Sequence, residues 1–331
     1  MANPADVVGR LTAMQAQEDR YARWSVAQRT PAGSPSALRS ALAGGAILRT
    51  HVLRPTWHYV AAADLRWLMA ISGPRVDKKN TRRYRELNLD RSALERSNAA
   101  IANAVASGAR TRSELAVALE AGGISTGGQR LAYLLMHAEL SAAICSGPMR
   151  GAEHTYAAFD HRVPAAGGPT GDEALAELAC RYFSTRGPAT VTDFSWWSGL
   201  NAGEARAALA MVQSRLGSRA LDGRVYWHAG DPPSRRTQRI DLVQCYDEII
   251  ISYRQSRDIL HTPTTAFAIP RDIDGFRHVM LLEGRLLGHW RVRSSRQGHV
   301  VETRTRIGLD ERQRTALARS IERYQRFLVV T

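Results

Sequence analysis

Several residue types and patterns are scarce in this chain of 331 residues, and each scarcity narrows its function. The three cysteines, Cys145, Cys180 and Cys245, lie far apart without a Cys-x-x-Cys pair, so we expect reduced thiols and a cytoplasmic protein. The ten histidines form no clustered ligand set, so we expect no metal and no cofactor. Neither a bilayer-length apolar run nor a signal-peptide pattern is present, so we expect no membrane partner.

Lysine is almost absent, whereas arginine is abundant. Lys78 and Lys79 are the only lysines, yet Lys and Arg together number 45 against 31 Asp and Glu, for a net charge of +14. A GC-rich genome would favour arginine over lysine, but codon bias does not explain the surplus over acidic residues. Because guanidinium groups bind phosphates bidentately, the charge favours a nucleic-acid partner.

The middle of the chain has the pattern helix, helix, helix, hairpin. An apolar helix is predicted over 100–106, and capping boxes that start at Thr111 and Thr126 predict the next two helices. Two strands around a turn are predicted over 143–147 and 155–159. This order is typical of a winged helix-turn-helix.

A second copy of the pattern follows. Leu175, Leu178 and Tyr182 share one face of a predicted helix, and a short helix is predicted over 190–197. Asn201 begins a capping box for a third helix to about Leu216, and the stretch 219–228 is a candidate wing. Two such units in tandem are harder to obtain by chance than one.

The two ends of the chain differ from the middle. Helices are predicted around 7–14 and 64–71 in a less regular N-terminal unit. After residue 237, alternating strands with a turn at 283–284 continue to Thr305 and predict a small β-barrel or sheet. A closing amphipathic helix is predicted from the spacing of four apolar residues, Leu317, Ile321, Tyr324 and Leu328.

These patterns together predict an α+β fold with tandem winged helix-turn-helix units and a C-terminal β-rich, barrel-like region. The predicted units are 1–97, 98–165, 166–236 and 237–331, with the terminal helix in the last. Because no low-complexity linker separates them, we expect one curved, rigid body with an arginine-lined concave face.

Two short motifs carry the most functional information. Gln15-Ala16-Gln17 alone would be read as two solvated amides near a helix end, because such a tripeptide is common by chance. It gains weight from Arg54-Pro55-Thr56-Trp57-His58 and from several further blocks that recur in a fixed order. Those blocks are 13–18, 48–58, 64–68, 187–190, 246–248 with Tyr253-Arg254, and 284–291.

This ordered set of blocks resembles the AlkZ-like family of winged-helix DNA glycosylases over nearly the whole chain. The family's Gln-apolar-Gln signature maps onto Gln15, Ala16 and Gln17. The AlkX branch of the family has Asp at the last position, so Gln17 places the chain in the AlkZ branch, whose known member opens interstrand crosslinks formed by azinomycin. The resemblance implies double-stranded DNA with alkylated purines or crosslinks as the substrate, for DNA repair or for self-resistance to a genotoxic natural product.

A glutamine suits the excision of a purine that alkylation at N7 or N3 has already made cationic. Its carbonyl oxygen can orient water or face positive charge on the sugar, and its amide nitrogen can donate to a phosphate or sugar oxygen. Residues two apart share a face in an extended chain but lie about 200° apart on a helix. Gln15 and Gln17 therefore converge on one target only where the helix from Val7 has ended or bent.

The other candidate site residues have two interpretations each. Thr56 and His58 either support the glutamines or contact phosphate, or else pack structurally; for Asp247 and Glu248 a structural pairing with arginines is favoured over paired-carboxylate catalysis. Basic turns are candidates for phosphate or minor-groove contacts, with a solvated face as the alternative. The candidate DNA-binding residues are Arg54, Arg235, Arg236, Arg239, Arg291, Arg293, Arg296 and Gln297.

Two non-enzymatic functions compete with a glycosylase. A winged-helix transcriptional regulator would normally dimerise on a palindromic site, and the sequence contains neither a coiled-coil segment nor an obvious ligand domain, so we expect a monomer. A DNA-binding scaffold would explain the charge but would leave both motifs without a role. Base release from alkylated DNA distinguishes the three.

Overall fold

The computed structural model describes residues 3–30, 35–165, 167–230, 239–256, 276–295 and 298–330. Its N-terminal unit contains three helices and a three-stranded sheet of order β1-β3-β2. The elements are α1 (Pro4–Leu11), β1 (Met14–Gln15), α2 (Asp19–Ala27), α3 (Pro35–Gly44), β2 (Ile47–Val52) and β3 (Arg54–Ala61).

Helix α1 is shorter than the predicted helix over 7–14. Asn3 and Asp6 form a capping box at its start. At its end Thr12 has a φ of 66° and its N–H donates to the Gly9 carbonyl, so the chain turns out of the helix. Met14 and Gln15 are consequently strand residues, and the predicted helix end was wrong.

The second unit follows a long helix, α4 (Ala62–Glu86), which extends well beyond the predicted 64–71. Its sheet has the order β4-β6-β5. The elements are α5 (Arg91–Val105), β4 (Arg110–Thr111), α6 (Arg112–Ala121), α7 (Arg130–Leu140), β5 (Ile144–Ser146) and β6 (Thr155–Ala158).

One of the two predicted capping boxes in this unit is confirmed and the other is wrong. Thr111 and Glu114 cap α6 reciprocally. Helix α7 instead begins after Gln129 without a side-chain cap, and the Thr126 hydroxyl donates to Glu120, six residues earlier in the chain.

The third unit repeats the helix and hairpin order, and most of its predicted elements are confirmed. Asn201 caps α11 as predicted, but that helix ends at Val212 and a 3-10 turn (Gln213–Arg215) follows. Ala189 bridges to Trp227 beside the hairpin. The elements are α8 (Phe159–Arg162), α9 (Gly171–Arg186), α10 (Val191–Ser198), α11 (Ala202–Val212), β7 (Gly217–Leu221) and β8 (Arg224–His228).

The C-terminal region is a curled four-stranded antiparallel sheet, a half-barrel, of order β12-β11-β10-β9. The predicted strands, turn and terminal helix are present, whereas a closed barrel is not formed by the described strands. The elements are β9 (Ile240–Val243), α12 (Glu248–Ile251), β10 (His278–Leu282), β11 (Arg285–Ser295), β12 (Gly298–Thr305) and α13 (Glu311–Val330).

Buried side chains join these units to one another. The largest cluster includes Leu53, Trp67, Phe159 and Trp197, so the N-terminal, second and third units share one core. Helix α13 packs on the C-terminal sheet, where Tyr324 meets Trp290, and also on Trp24 of the N-terminal unit. Extensive shared cores of this kind oppose relative movement of units.

The predicted unit boundaries fall at different kinds of position in the chain. The boundary at 97/98 lies inside α5 (Arg91–Val105), where a continuous helix leaves no place for a linker. The boundary at 165/166 falls next to a loop, and the one at 236/237 lies outside the described residues. The division into four units stays a prediction.

Within the described ranges, no helix is long and apolar enough to cross a membrane. The same part of the chain contains no group of three or more His, Cys, Asp or Glu residues placed to hold a metal ion.

Candidate active site

The glutamine motif, Gln15 to Gln17, lies on a strand edge rather than in a helix. In the antiparallel pairing of β1 with β3, Gln15 lies opposite His58, and the Ala16 N–H donates to the Trp57 carbonyl at 2.7 Å. Helix α1 has thus ended before Gln15, as convergence of the two glutamines requires, and Gln17 lies in a bend just after the strand. The action of Gln15 and Gln17 on one target stays a prediction.

Gln15 is 9% exposed, and its side-chain amide has a defined orientation. The Nη2 of Arg54 lies 3.4 Å from its Oε1. Because a guanidinium group only donates hydrogen bonds, the amide oxygen faces Arg54 and the amide nitrogen points elsewhere. No described residue accepts a hydrogen bond from that nitrogen, which leaves it available to a phosphate or sugar oxygen.

Gln17 is exposed, and its main chain is held from one side by an arginine outside the predicted site. Arg49 donates through Nε to the Ala16 carbonyl at 3.0 Å and through Nη2 to the Gln17 carbonyl at 3.4 Å. Its guanidinium lies 4.2 Å above the Trp57 ring. The Trp57 N–H donates to the Gln17 Oε1 at 3.4 Å, so the exposed amide nitrogen of Gln17 points away from this support.

Arg54, predicted to bind DNA, is turned toward the protein. Its Nη1 donates to the Trp197 carbonyl at 2.6 Å, near the C-terminus of α10, where a cation is favourable. Its Nη2 lies 3.1 Å from His58 Nε2 as well as near Gln15. Internal acceptors on three residues thus engage the guanidinium. A DNA-binding role of Arg54 stays a prediction.

Close packing explains why Arg54 reaches Trp197. Gly199 ends α10 with a φ of 74°, and a Cβ at that position would lie 2.6 Å from the Leu53 carbonyl. Only glycine combines this backbone conformation with so close an approach. The turn between β2 and β3 therefore sits directly against the end of α10.

His58 is fully buried, and both ring nitrogens are used. Its Nε2 faces Arg54, which cannot accept, so Nδ1 carries the proton and donates to the Thr56 carbonyl at 2.8 Å. Burial and the Arg54 charge lower the pKa of His58 to about 3. His58 is therefore neutral at physiological pH, and its burial excludes a direct phosphate contact.

Glu248 contacts the glutamine motif from 233 residues away in the chain. Its Oε1 accepts from the Gln15 N–H at 2.9 Å, and its Oε2 accepts from Arg186, Trp197 and Ser252, each at 2.8 Å. Burial alone would raise the pKa of Glu248, but the charges of Arg186 and Arg54 outweigh it and hold the pKa at about 2. The carboxylate is therefore ionised at neutral pH. Because both of its oxygens accept hydrogen bonds from protein donors, it is poorly placed to act as a general base.

The neighbouring Asp247 has a separate partner. It forms a bidentate pair with Arg29, with N–O distances of 2.8 and 2.6 Å. Both acidic residues thus pair with arginines, as the favoured structural interpretation predicted. The position of Glu248 beside Gln15 was missed, and its only sequence signal was the block Tyr246-Asp247-Glu248.

A model of the AlkZ-like DNA glycosylase family matches residues 8–327, which is nearly all of this chain. The chain belongs to the AlkZ-like DNA glycosylases. An interstrand DNA cross-link repair glycosylase of Streptomyces sahachiroi is 25% identical over 306 residues, covering 87% of this chain and 82% of that protein. The solved structure of Streptomyces sahachiroi DNA glycosylase AlkZ matches in fold with a TM-score of 0.79 at 19% identity, covering 100% of this chain and 92% of that one.

Three further candidate DNA-binding residues of this AlkZ-like chain, Arg239, Arg291 and Arg293, lie on or beside the C-terminal sheet. Arg239 pairs with Asp241 at 2.6 Å, and Glu302 pairs with both Arg291 at 2.6 Å and Arg293 at 3.0 Å. These ion pairs have substantial exposed surface, so an incoming phosphate can compete for the arginines. Arg235, Arg236, Arg296 and Gln297 lie outside the described residues.

Thr56 is the least defined member of the predicted site. It lies on β3 between Arg54 and His58 and is half-buried. Its carbonyl accepts from His58, but its Oγ1 is buried without a hydrogen-bond partner in the described part of the chain. The contact of Thr56 with the site is therefore a main-chain bond to His58, and its support of the glutamines stays a prediction.

The neutral state of His58 predicts how excision by this AlkZ-like chain depends on pH. Because its pKa is about 3 rather than near 6.5, His58 should not titrate between pH 5 and 8. A plot of the single-turnover excision rate against pH should therefore show no change between pH 5 and 8 that is caused by titration of His58. A limb near pH 6.5 that disappears in His58→Gln would contradict this expectation.

Proposed function

We propose that this chain hydrolyses the N-glycosidic bond of N7- or N3-alkylated, cationic purines in double-stranded DNA, including bulky adducts and interstrand crosslinks. The observation that carries this proposal is the chemistry around Gln15. Besides the always-charged Arg54, the titratable groups beside it are a neutral His58 with both nitrogens bonded and a Glu248 carboxylate with four donors. Neither can protonate a leaving base, so the base must already be activated.

The proposed reaction needs placement rather than strong acid or base chemistry. The bond between the sugar C1′ and the purine nitrogen breaks, and the cationic base leaves neutral with the electron pair. The oxocarbenium-like sugar is then attacked by water, which loses its proton to solvent. A glutamine oxygen with a second lone pair can orient this water, and the free amide nitrogens can hold the adjoining phosphate or sugar.

Arg54 makes Gln15 a better donor in this scheme. A hydrogen bond to the oxygen of an amide polarises the group and strengthens the hydrogen bonds that its N–H donates. Because Arg54 is bonded to the Gln15 oxygen, the free Gln15 nitrogen is the polarised end. A phosphate oxygen beside the lesion is the acceptor that this arrangement favours.

The three repeated units supply a means of holding the duplex. The first two share the order helix, strand, helix, helix, strand, strand, and their sheet orders β1-β3-β2 and β4-β6-β5 match one another. The third has three helices, α9 to α11, before the hairpin β7–β8, and a single bridge from Ala189 to Trp227 in place of the first strand. We interpret them as winged helices with the hairpins β2–β3, β5–β6 and β7–β8 as wings. Their arginines would contribute sequence-independent phosphate contacts, as a lesion-directed enzyme requires.

A role in repair or in self-resistance to a DNA-alkylating natural product follows from the substrate class. The similar Streptomyces sahachiroi protein is named an interstrand DNA cross-link repair glycosylase. A purine tied to the opposite strand cannot rotate into an enclosed pocket as a flipped base does. An exposed Gln17 at a strand edge, rather than at the bottom of a cavity, is compatible with such a substrate.

The test is a substrate panel with purified protein. Duplexes containing N7-methylguanine, a bulky N7-alkylguanine, a crosslinked guanine or uracil are incubated and then treated with alkali to cleave abasic sites. The cationic purines should be released, and uracil should be slower by at least about 100-fold, because general acid help is absent. Efficient uracil release, or no base release together with tight binding of one palindromic site, would contradict the proposal and favour other functions.

A further inference from the structure

We infer that Glu248 is a positioning residue for Gln15, acting through the main chain of the glutamine motif, with Arg186 as its buried counter-charge. The inference rests on the proposed function and adds a residue that lies far from both sequence motifs. It assigns the buried acidic side chain of α12 to the placement of the reacting groups rather than to the chemistry itself.

Strand β1 has a free edge. It has two residues and pairs, among the described strands, with β3 alone. The Ala16 N–H donates to β3, whereas the Gln15 N–H points away and donates to Glu248 Oε1 at 2.9 Å. A buried N–H without an acceptor is costly, so the carboxylate takes the place of a neighbouring strand.

A closed circuit of hydrogen bonds joins Glu248 to both ends of Gln15. The Gln15 main chain bonds to Glu248, and the other oxygen of Glu248 accepts from Trp197 Nε1 at 2.8 Å. The Trp197 carbonyl accepts from Arg54 at 2.6 Å, and Arg54 returns to the Gln15 side chain at 3.4 Å. Main chain and side chain of Gln15 are thus both tied to one indole residue, which limits rotation of the amide.

The bonding at this position requires a carboxylate. Glu248 accepts from four donors, and only an ionised carboxylate has enough acceptor sites on two oxygens to satisfy them. A glutamine would present an NH₂ group to donors on one side. Arg186 offsets the charge, and the side chains of the two partners are only 2% and 3% exposed.

Asp247 provides a matched control beside Glu248. It is as deeply buried, it is paired with an arginine, and it caps α12 through the Ile249 N–H at 3.0 Å. The side chain of Asp247 bonds to Arg29 and not to the glutamine motif. Asp247→Asn therefore disturbs a comparable ion pair in the same segment without touching Gln15.

The experiment measures single-turnover release of N7-methylguanine and duplex affinity for wild type, Glu248→Gln and Asp247→Asn. Because an error of about 1 Å in placement can cost about 100-fold, Glu248→Gln should lower the rate by about 10- to 100-fold, with Kd within about threefold. Asp247→Asn should keep its excision rate within about threefold of wild type, even if its Tm falls by as much as that of Glu248→Gln. The pH–rate profile of Glu248→Gln should keep the wild-type shape.

A wild-type rate in Glu248→Gln, or an equal loss of rate in both variants, would overturn the inference. So would the loss of a limb of the pH–rate profile in Glu248→Gln, because that result would identify Glu248 as a general base. Should Glu248→Gln not fold, Glu248→Asp keeps the charge beside Arg186 but withdraws it from Gln15 by about 1.5 Å. A wild-type rate in that variant would also overturn it. Failure of the proposed function is distinct, because the wild type would then release no base.

Discussion

Gln15→Ala and Gln17→Ala should each lower the single-turnover excision rate by about 10²- to 10³-fold, the usual cost of removing one preorganised donor from a reacting centre. Duplex affinity should stay within about threefold, because phosphate contacts by arginines supply most of the binding. Rates are measured with N7-methylguanine DNA, and affinities by titration of the same duplex.

The two glutamine variants should differ in stability. Gln15 is buried and accepts from Arg54, so its removal leaves a guanidinium contact unsatisfied and should lower Tm. Gln17 is exposed, so Gln17→Ala should unfold at the wild-type temperature and is the cleaner test of catalysis.

Gln28→Ala is the matched control, because Gln28 is 7% exposed in the same unit but follows α2, away from the glutamine motif. It should excise at the wild-type rate. Full activity in both motif variants, or equal losses of affinity and rate, would remove these glutamines from the catalytic assignment.

Arg186→Met should lower the free energy of unfolding at pH 7 by about 3–5 kcal/mol, since it leaves the buried Glu248 carboxylate without its counter-charge. Arg186 also donates to the carbonyls of Leu11 and Ala13, at 2.9 and 3.1 Å, which hold the start of the glutamine motif. Chemical denaturation at a series of pH values gives the measurement.

The pH dependence of this loss has a defined sign. In the wild type the folded pKa of Glu248 is about 2, below the unfolded value, so its stabilising contribution is present above about pH 4.3 and is lost as the pH falls toward 2. Without Arg186 the folded pKa rises, because burial then dominates. The stability difference between wild type and variant should therefore narrow from pH 7 to pH 3.

An exposed ion pair provides the comparison for Arg186. Arg66 and Asp160 lie 2.7 Å apart with side chains 34% and 77% exposed. Arg66 also donates to the Pro164 carbonyl at 2.7 Å, but Arg66→Met should cost less than Arg186→Met, because water reaches both charges of this pair. The difference in the free energy of unfolding between wild type and Arg186→Met could instead stay constant or widen as the pH falls. That result would show that the buried Glu248 charge does not cause the instability of the variant.

Local signals in the sequence predicted most of the elements correctly. The reciprocal caps at Thr111 and Asn201, the turn at 283–284 and the apolar spacing in α13 each depend on residues within about one helical turn or one hairpin. The same kind of signal failed at Thr126, where Glu120 offered the hydroxyl a different partner, and at Thr12, whose left-handed backbone ended α1 early.

The sequence by itself determined the family, because Gln15-Ala16-Gln17 and the other blocks occur in a fixed order that needs no coordinates to be recognised. It also determined that a polyanion is the partner its charge favours. Only the tertiary structure decided which partners the side chains of the site have. Arg54 donates to the Trp197 carbonyl. Glu248 accepts from the Gln15 N–H at the free edge of β1, although it lies 233 residues further along the chain. Such roles depend on burial and on contacts between distant segments, which no local spacing encodes, whereas caps and turns satisfy their backbone groups with near neighbours.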